Sequence, residues 1–160
     1  MTRTAFDTHD HGDCIARGLA EAERYCAAQG LRLTPARRRV LEILLEEHRA
    51  MGAYDILERL RAEGRGAQPP IAYRALDFLT THGFAHRIER LNAFVACAHA
   101  QDLHAPAFLI CRACDRVTEA EVAPTGGELG RAARAAGFTI ERTVREAVGL
   151  CPACAETSPA

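Results

Sequence analysis

Two identical C-x2-C pairs constrain this chain more than any other feature. Cys111 and Cys114 form the first pair, Cys151 and Cys154 form the second, and residues 115–150 separate them. Two such hairpins can place four thiolates around one ion at about 2.3 Å each, the closed tetrahedral arrangement of a structural zinc site. The alternatives are two redox-active pairs or two disulfides, but thiols stay reduced inside the cell, where we expect this chain to be. We therefore predict a four-cysteine zinc site that stabilises the C-terminal part of the fold.

The N-terminus and the lack of a long apolar run favour a cytoplasmic protein. The first residues carry Asp7, Asp10 and Asp13 but no apolar run, so they do not resemble a secretion signal. No stretch of the sequence approaches the roughly 20 apolar residues of a membrane span, and we expect no membrane partner. The net charge of −1 provides no global basic field. Any contact with nucleic acid must therefore come from locally placed arginines.

The N-terminal part has the pattern of short amphipathic helices followed by a hairpin. Asp13 can cap a first helix, Thr34 can cap a second, and residues 53–63 have the pattern of a third. A fourth helix is predicted over residues 71–82, and the alternating segments 84–89 and 93–97 then predict two strands.

This order of elements describes a winged helix-turn-helix, in which the last helix before the hairpin enters the major groove of DNA. The outward face of the fourth helix carries Tyr73 and Arg74. From periodicity alone, these two residues could equally be the solvated side of an amphipathic helix.

The C-terminal part predicts a small sheet with one helix. Its predicted elements follow a β-β-α-β order, with strands at 108–111, 117–122 and 138–148 and a helix at about 127–136. A piece of about 60 residues buries little core by itself, so it needs the zinc, a partner subunit or both. We therefore expect an α+β chain with a winged-helix DNA-binding domain at 1–97 (1–12 a flexible tail), a hinge at 98–105, and a dimerisation and metal-binding α/β domain at 106–160.

Taken together, these motifs resemble the ferric uptake regulator family over about residues 13 to 155. The resemblance depends on the predicted hairpin, the paired cysteines, Thr34-Pro35 before a basic helix start, and Tyr73-Arg74-Ala75-Leu76 in the fourth helix. Ala53-Tyr54-Asp55, Pro69-Pro70 and Tyr73 to Leu79 are similar to the zinc uptake regulator branch of the family. The resemblance implies a homodimeric, metal-dependent DNA-binding repressor with an N-terminal winged helix and a C-terminal dimerisation domain, and not an enzyme.

The resemblance also implies a second, regulatory metal site at the hinge. The positions of its ligands in the zinc branch fall on His86, Cys97, His104 and Glu119, and His99 is the substitute if one assignment fails. Imidazole, thiolate and carboxylate together can make a four-coordinate zinc site, and the thiolate disfavours hard cations such as Mg²⁺, Ca²⁺ or Mn²⁺. It discriminates less well against Fe²⁺, Co²⁺ or Ni²⁺. We therefore expect two Zn²⁺ ions per chain.

The implied function is a zinc-responsive, homodimeric repressor of zinc-uptake genes. One ion bound by both domains would fix the angle between them, so zinc would act as co-repressor. The expected partners are double-stranded operator DNA and a second copy of the chain, with no small organic substrate. On DNA we expect Tyr73 and Arg74 near the bases, Arg37 near the groove edge or a phosphate, and Tyr54 on the backbone.

Two other functions remain open at this point. A family member that senses iron, manganese, nickel or peroxide would share the same fold. A small zinc enzyme, with Glu119 as base, would need an open coordination position and a substrate pocket. Three ligands plus Glu119 would already close the site, which argues against the enzyme.

Overall fold

The structure is a computed structural model that describes residues 11–47, 49–65, 68–97, 100, 105–122, 127–141 and 143–157. It has the α+β composition that the sequence predicts. The helices are α1 (His11–Gln29), α2 (Pro35–Glu46), α3 (Ala53–Ala62), α4 (Pro69–Thr81), α5 (Gly127–Ala135) and α6 (Pro152–Thr157). The strands are β1 (Ala85–Ile88), β2 (Ala93–Ala96), β3 (Ala105–Cys111), β4 (Val117–Val122) and β5 (Arg145–Gly149).

Helices α1 to α4 pack around one apolar core. The start of α2 confirms the predicted cap, because the Thr34 hydroxyl accepts a hydrogen bond from the backbone N–H of Arg37 at 3.3 Å. Such a cap stabilises a helix by about 1 kcal/mol. Asp13 does not cap α1 but lies in its first turn. The apolar stripes of these helices form a buried cluster whose largest members include Leu41, Ile43, Leu44, Ile56, Leu60, Leu76, Leu79 and Phe84.

The predicted hairpin directly follows α4. Strands β1 and β2 pair antiparallel, with Ala85 opposite Ala96. Gly83 joins α4 to this hairpin at a φ of 76°, a left-handed conformation that glycine adopts at little cost. The segment between α2 and α3 also pairs with β2 at one position, because Met51 and Phe94 exchange two backbone hydrogen bonds of 2.8 Å. We call the β1–β2 hairpin the wing.

The C-terminal sheet has the strand order β4-β3-β5. Strand β3 pairs antiparallel with β4 and parallel with β5, and α5 lies on the connection between β4 and β5. The prediction of a strand over residues 138–148 was too long, because β5 begins only at Arg145, where its pairing with Ala107 of β3 begins. Phe138 is 67% exposed. Helix α6 was not predicted.

A second apolar cluster joins the wing to the C-terminal sheet. Ile88 and Val95 come from the wing, whereas Phe108, Ile110 and Val117 come from β3 and β4. A backbone bridge between residues 49 and 116 adds a further link between the two parts. The domain boundaries at 97 and 105 stay a prediction. Among the described residues, no helix is long and apolar enough to cross a membrane.

Candidate metal centres and nucleic-acid interface

The structure brings the four paired cysteines together. The Sγ atoms of Cys111, Cys114, Cys151 and Cys154 all lie within 4.8 Å of one another. The sulfur atoms of Cys114 and Cys151 are 3.8 Å apart. A tetrahedron with zinc–sulfur bonds of about 2.3 Å has edges of about 3.8 Å, whereas a disulfide bond measures about 2.05 Å. The arrangement therefore fits a zinc site made of four thiolates and not a disulfide.

The ends of secondary-structure elements hold this cluster in place. Cys111 ends β3, Cys114 lies in the turn after it, Cys151 precedes α6 and Cys154 lies within α6. The backbone N–H of Arg112 donates to the carbonyl of residue 149 at 2.9 Å, which continues the β3–β5 pairing up to the cysteines. The sheet therefore aligns the two C-x2-C segments.

The surroundings of the thiols shift their pKa values in opposite directions. The backbone N–H of Cys151 donates to the sulfur of Cys111 at 3.4 Å, and this hydrogen bond lowers the pKa of Cys111 below its usual value. The neighbouring thiols, Cys151 first and then Cys114, raise the pKa of Cys154. Protons thus leave the cluster in coupled steps, and a dication is the species that would let all four sulfurs ionise together.

The structure brings three of the four residues of the predicted regulatory site together. One ligand atom each of His86, Cys97 and Glu119 lies within 4.8 Å of the other two, and Nε2 of His86 is 3.8 Å from Oε1 of Glu119. The Glu119 side chain is 4% exposed. A carboxylate at this depth needs compensating charge or hydrogen bonds, and a divalent cation among these three donors would supply charge. His104 and His99 lie outside the described residues.

The three candidate ligands come from two different parts of the fold. His86 lies on β1 and Cys97 directly follows β2, so both belong to the wing, whereas Glu119 lies on β4. The backbone N–H of Cys97 donates to the carbonyl of Phe84 at 2.9 Å, which fixes the thiol beside the hairpin. The His86 ring packs against Phe108 with 5.5 Å between centroids. Bound metal at these donors would therefore connect the wing to the C-terminal sheet.

The outward face of α4 carries two of the four residues predicted to contact DNA, Tyr73 and Arg74. Tyr73 is 55% exposed, Arg74 is also exposed, and Tyr54 on the neighbouring α3 is 64% exposed. Arg37, the fourth predicted residue, lies on α2 and packs against α4. Its guanidinium covers the ring of Phe78 at 3.8 Å and donates to the carbonyl of Arg32 at 2.5 Å, so it helps to hold α2 against α4.

Sequence reasoning missed one carboxylate at the boundary between the wing and the sheet. Glu146 of β5 accepts hydrogen bonds from the backbone N–H groups of Glu89 and Arg90, at 2.6 and 3.1 Å. No motif marks this residue, because the contact depends on the tertiary arrangement alone. The two unassigned cysteines, Cys14 and Cys26, lie on α1, and Cys26 is buried in the helical core.

Comparisons with a family model, a curated protein and a solved structure all indicate the same family. A model of the ferric uptake regulator family matches residues 28–144. The zinc uptake regulation protein of Escherichia coli (strain K12) is 41% identical over 139 residues, which are 86% of this chain and 81% of that protein. A solved structure of a zinc uptake regulator complexed with zinc and DNA has a TM-score of 0.83 at 40% identity, covering 89% of this chain and 96% of the other.

Two crystal structures of another relative, XcZur, differ in their similarity to this chain. The holo structure has a TM-score of 0.77 and covers 86% of this chain and 96% of its own, whereas the apo structure has a TM-score of 0.52 and covers 89% and 99%. Both are 40% identical to this chain. The difference between the two scores therefore lies in the arrangement of the chain and not in the sequence.

Proposed function

This chain belongs to the ferric uptake regulator family, and we propose that within it the chain is a zinc-responsive, homodimeric repressor of zinc-uptake genes. Zinc acts as its co-repressor at His86, Cys97 and Glu119, with His104 as the fourth ligand. The observation that carries this proposal is that donors of the wing and of the C-terminal sheet lie within 4.8 Å of one another. The protein is a regulator and not an enzyme, and it acts in the cytoplasm, where its DNA lies.

The ligands of the regulatory site come from two parts of the fold that can move relative to each other in this proposal. His86 and Cys97 move with the wing and hence with α4, whereas Glu119 moves with β4. A cation bound by all of them supplies positive charge at the boundary and favours the arrangement in which the two parts are docked. Because zinc stabilises that arrangement over the others, its binding shifts the population toward the form that binds DNA.

The cluster of four cysteines has a structural role in this proposal. Its four sulfurs form a closed site with no open position for a reacting group, and they join the end of β3 to the start of α6. Two ions per chain follow, one at this cluster and one at the regulatory site. Thiolate among the regulatory donors favours zinc over hard cations.

The C-terminal part exposes an apolar surface that a second copy of the chain can cover. Several large apolar side chains in the C-terminal part are at least 42% exposed, which supports a dimer interface there. They are Leu109, Leu129, Phe138, Val144 and Val148. In a symmetric dimer, the docking angle of the wing sets the separation of the two α4 helices, and half-sites one turn of DNA apart require about 34–36 Å.

On the operator, α4 enters the major groove of DNA in this proposal. Tyr73 and Arg74 lie near the bases, Tyr54 contacts the backbone, and Arg37 lies near the groove edge or a phosphate. The exposure of Tyr73 and Tyr54 supports the first two assignments. The greater likeness of this chain to holo than to apo XcZur supports a docked arrangement for the zinc-bound form.

Cys97→Ser tests the regulatory site. We expect a folded dimer that retains about one zinc per chain instead of about two and that loses zinc-dependent binding to DNA from upstream of a zinc-uptake gene of the same genome, because oxygen is a poorer ligand than thiolate. Elemental analysis and gel shifts in buffered zinc measure both effects. Cys14→Ser, which changes a cysteine on α1, is the matched control.

Cys111→Ser tests the structural cluster and should have a different effect from Cys97→Ser. This change removes a ligand of the closed cluster, so we expect unfolding or loss of the dimer and not merely loss of the response to zinc. If Cys97→Ser instead kept full zinc-dependent DNA binding, the assignment of the regulatory site would be wrong.

A further inference from the structure

We propose that Glu146 is a positioning residue that holds the tip of the wing on the C-terminal sheet in the docked arrangement and so favours assembly of the regulatory metal site. The inference rests on the proposed function and deepens it. Its starting point is the carboxylate of Glu146, whose two oxygens each accept one hydrogen bond from consecutive backbone N–H groups at Glu89 and Arg90. Hydrogen bonds to a charged acceptor are about twice as strong as neutral ones.

The turn that offers these two N–H groups is well defined. It connects β1 to β2, and the backbone N–H of Asn92 closes it by donating to the carbonyl of Glu89 at 3.2 Å. Asn92 also accepts a hydrogen bond of 2.7 Å from Arg87 through its side-chain oxygen. Successive backbone N–H groups that point to one side form a small anion-binding site. Glu146 supplies the anion from within the same chain.

The sheet register connects Glu146 to the regulatory site. Phe108 of β3 lies opposite Glu119 of β4 and, on its other side, opposite Glu146 of β5. Residues opposite one another on neighbouring strands share a face of the sheet. Glu119, Phe108 and Glu146 therefore form one row on the face that meets the wing.

Strand β1 and the turn that follows it contact all three members of this row. Its His86 lies 3.8 Å from Glu119 and packs its ring on Phe108, and the turn that follows β1 reaches Glu146. Two strand spacings separate the ends of the row, which is about 10 Å, and the three steps along the chain from His86 to Glu89 also extend about 10 Å. Strand β1 therefore crosses the three strands of the sheet, and the contacts at both ends form together.

Two separated contacts fix an orientation that one contact cannot. The apolar packing of Ile88 and Val95 on Phe108 holds the wing close to the sheet but resists sliding and rotation weakly, because apolar contact is non-directional. The hydrogen bonds to Glu146 add direction at the far end of the row. In the docked arrangement with that end held, His86 and Cys97 face Glu119, so the contact lowers the free-energy cost of ordering these ligands when zinc binds.

Removing the carboxylate therefore weakens zinc binding without touching a zinc ligand. Glu146→Gln keeps one acceptor oxygen and turns a donor toward the other N–H group, and Glu146→Ala removes both acceptors. For zinc at the regulatory site we expect the dissociation constant to rise about 10-fold in Glu146→Gln and further in Glu146→Ala. Competition with a chromophoric chelator measures it on the full chain with its structural zinc retained. Glu141→Gln, at an exposed glutamate just before β5, is the matched control.

Backbone hydrogen exchange at Glu89 and Arg90 gives the second measurement. We expect slow exchange of both amides in the wild type and faster exchange in Glu146→Ala, while melting temperature and structural zinc content stay as in Glu141→Gln. Equal exchange in the wild type and Glu146→Ala would overturn the proposal, and so would unchanged zinc affinity in both variants. If the wild type bound no second zinc, the proposed function would fail, yet faster exchange in Glu146→Ala would still support the contact.

Discussion

At the scale of single residues, the two groups of cysteines differ in what surrounds their sulfur atoms. Cys111 lies among three other thiols and is buried, so metal there is enclosed by sulfur alone. Cys97 shares its site with an imidazole and a carboxylate that belong to different parts of the fold. A closed sulfur site suits permanent zinc, whereas a mixed site assembled from two movable parts suits a reversible response.

Arg74 is the residue on which base recognition most depends in this account. We expect Arg74→Ala to weaken operator binding about 5- to 150-fold at fixed salt, because a bidentate contact with a guanine discriminates by roughly 1–3 kcal/mol. Gel shifts on the operator and on scrambled DNA measure the change. Arg134→Ala removes the same charge from α5 and serves as control. Equal binding by the two variants would contradict the role of Arg74.

At the scale of elements, an ionic cluster fixes α2 against the end of α3. The guanidinium of Arg39 lies 2.9, 2.8 and 2.6 Å from the carboxylates of Glu42, Glu46 and Glu63. Arg59 of α3 also contacts Glu46. The Arg39 side chain is only 15% exposed, and its hydrogen bond lowers the pKa of Glu63. The cluster thereby stabilises the helices that support α4.

We expect Arg39→Ala to lower the free energy of unfolding by about 1–3 kcal/mol, because it leaves partly buried carboxylates without their common partner. Arg38→Ala, which removes an exposed pair with Glu23, should cost less than about 1 kcal/mol. Urea denaturation in zinc-containing buffer at pH 7 compares the two. Since the folded-state pKa of Glu63 lies below its ordinary value of 4.5, this contribution is present above that pH and is lost as the pH falls through the folded value. Equal losses in both variants would contradict the cluster's role.

The elements that the sequence predicted well are those with local signals. Thr34 with Pro35 marks the start of α2, and Gly83 marks the end of α4, because capping and left-handed backbone depend on neighbours in sequence. The region from Phe138 to Val144 has the composition of a strand, but the pairing of β5 with β3 begins only at Arg145, opposite Ala107. Strand length depends on the partner strand, which local composition does not contain.

The residues of the candidate sites also differ in whether a local sequence signal predicts them. The spacing within each C-x2-C pair is local, and the repetition of the same motif in both pairs allowed the sequence alone to predict the cluster of four cysteines. His86, Cys97 and Glu119 were identified only through the family resemblance, since it is the docking of the wing on β4 that brings them together. Glu146 had neither kind of signal. Its role follows from the register of β3 with β5, which only the folded structure contains.

At the scale of the whole molecule, the wing is the part that links metal binding to DNA binding in the proposed function. It follows α4 directly, it contributes His86 and Cys97, and it docks on the C-terminal sheet through an apolar cluster and the carboxylate of Glu146. Each contact is small, so the docked arrangement can be balanced finely enough for one ion to shift it. In a dimer, that shift acts on two α4 helices at once and changes their separation.

Solution scattering from the full chain, with the structural zinc retained, tests this account most directly. Zinc added to saturate the regulatory site should reduce the radius of gyration and narrow the distribution of interatomic distances, because both copies of the wing become docked. Cys97→Ser should keep the metal-poor profile at the same zinc concentration. Identical profiles for the wild type in chelator and in saturating zinc would contradict the central claim that zinc fixes the arrangement of the wing on the C-terminal sheet.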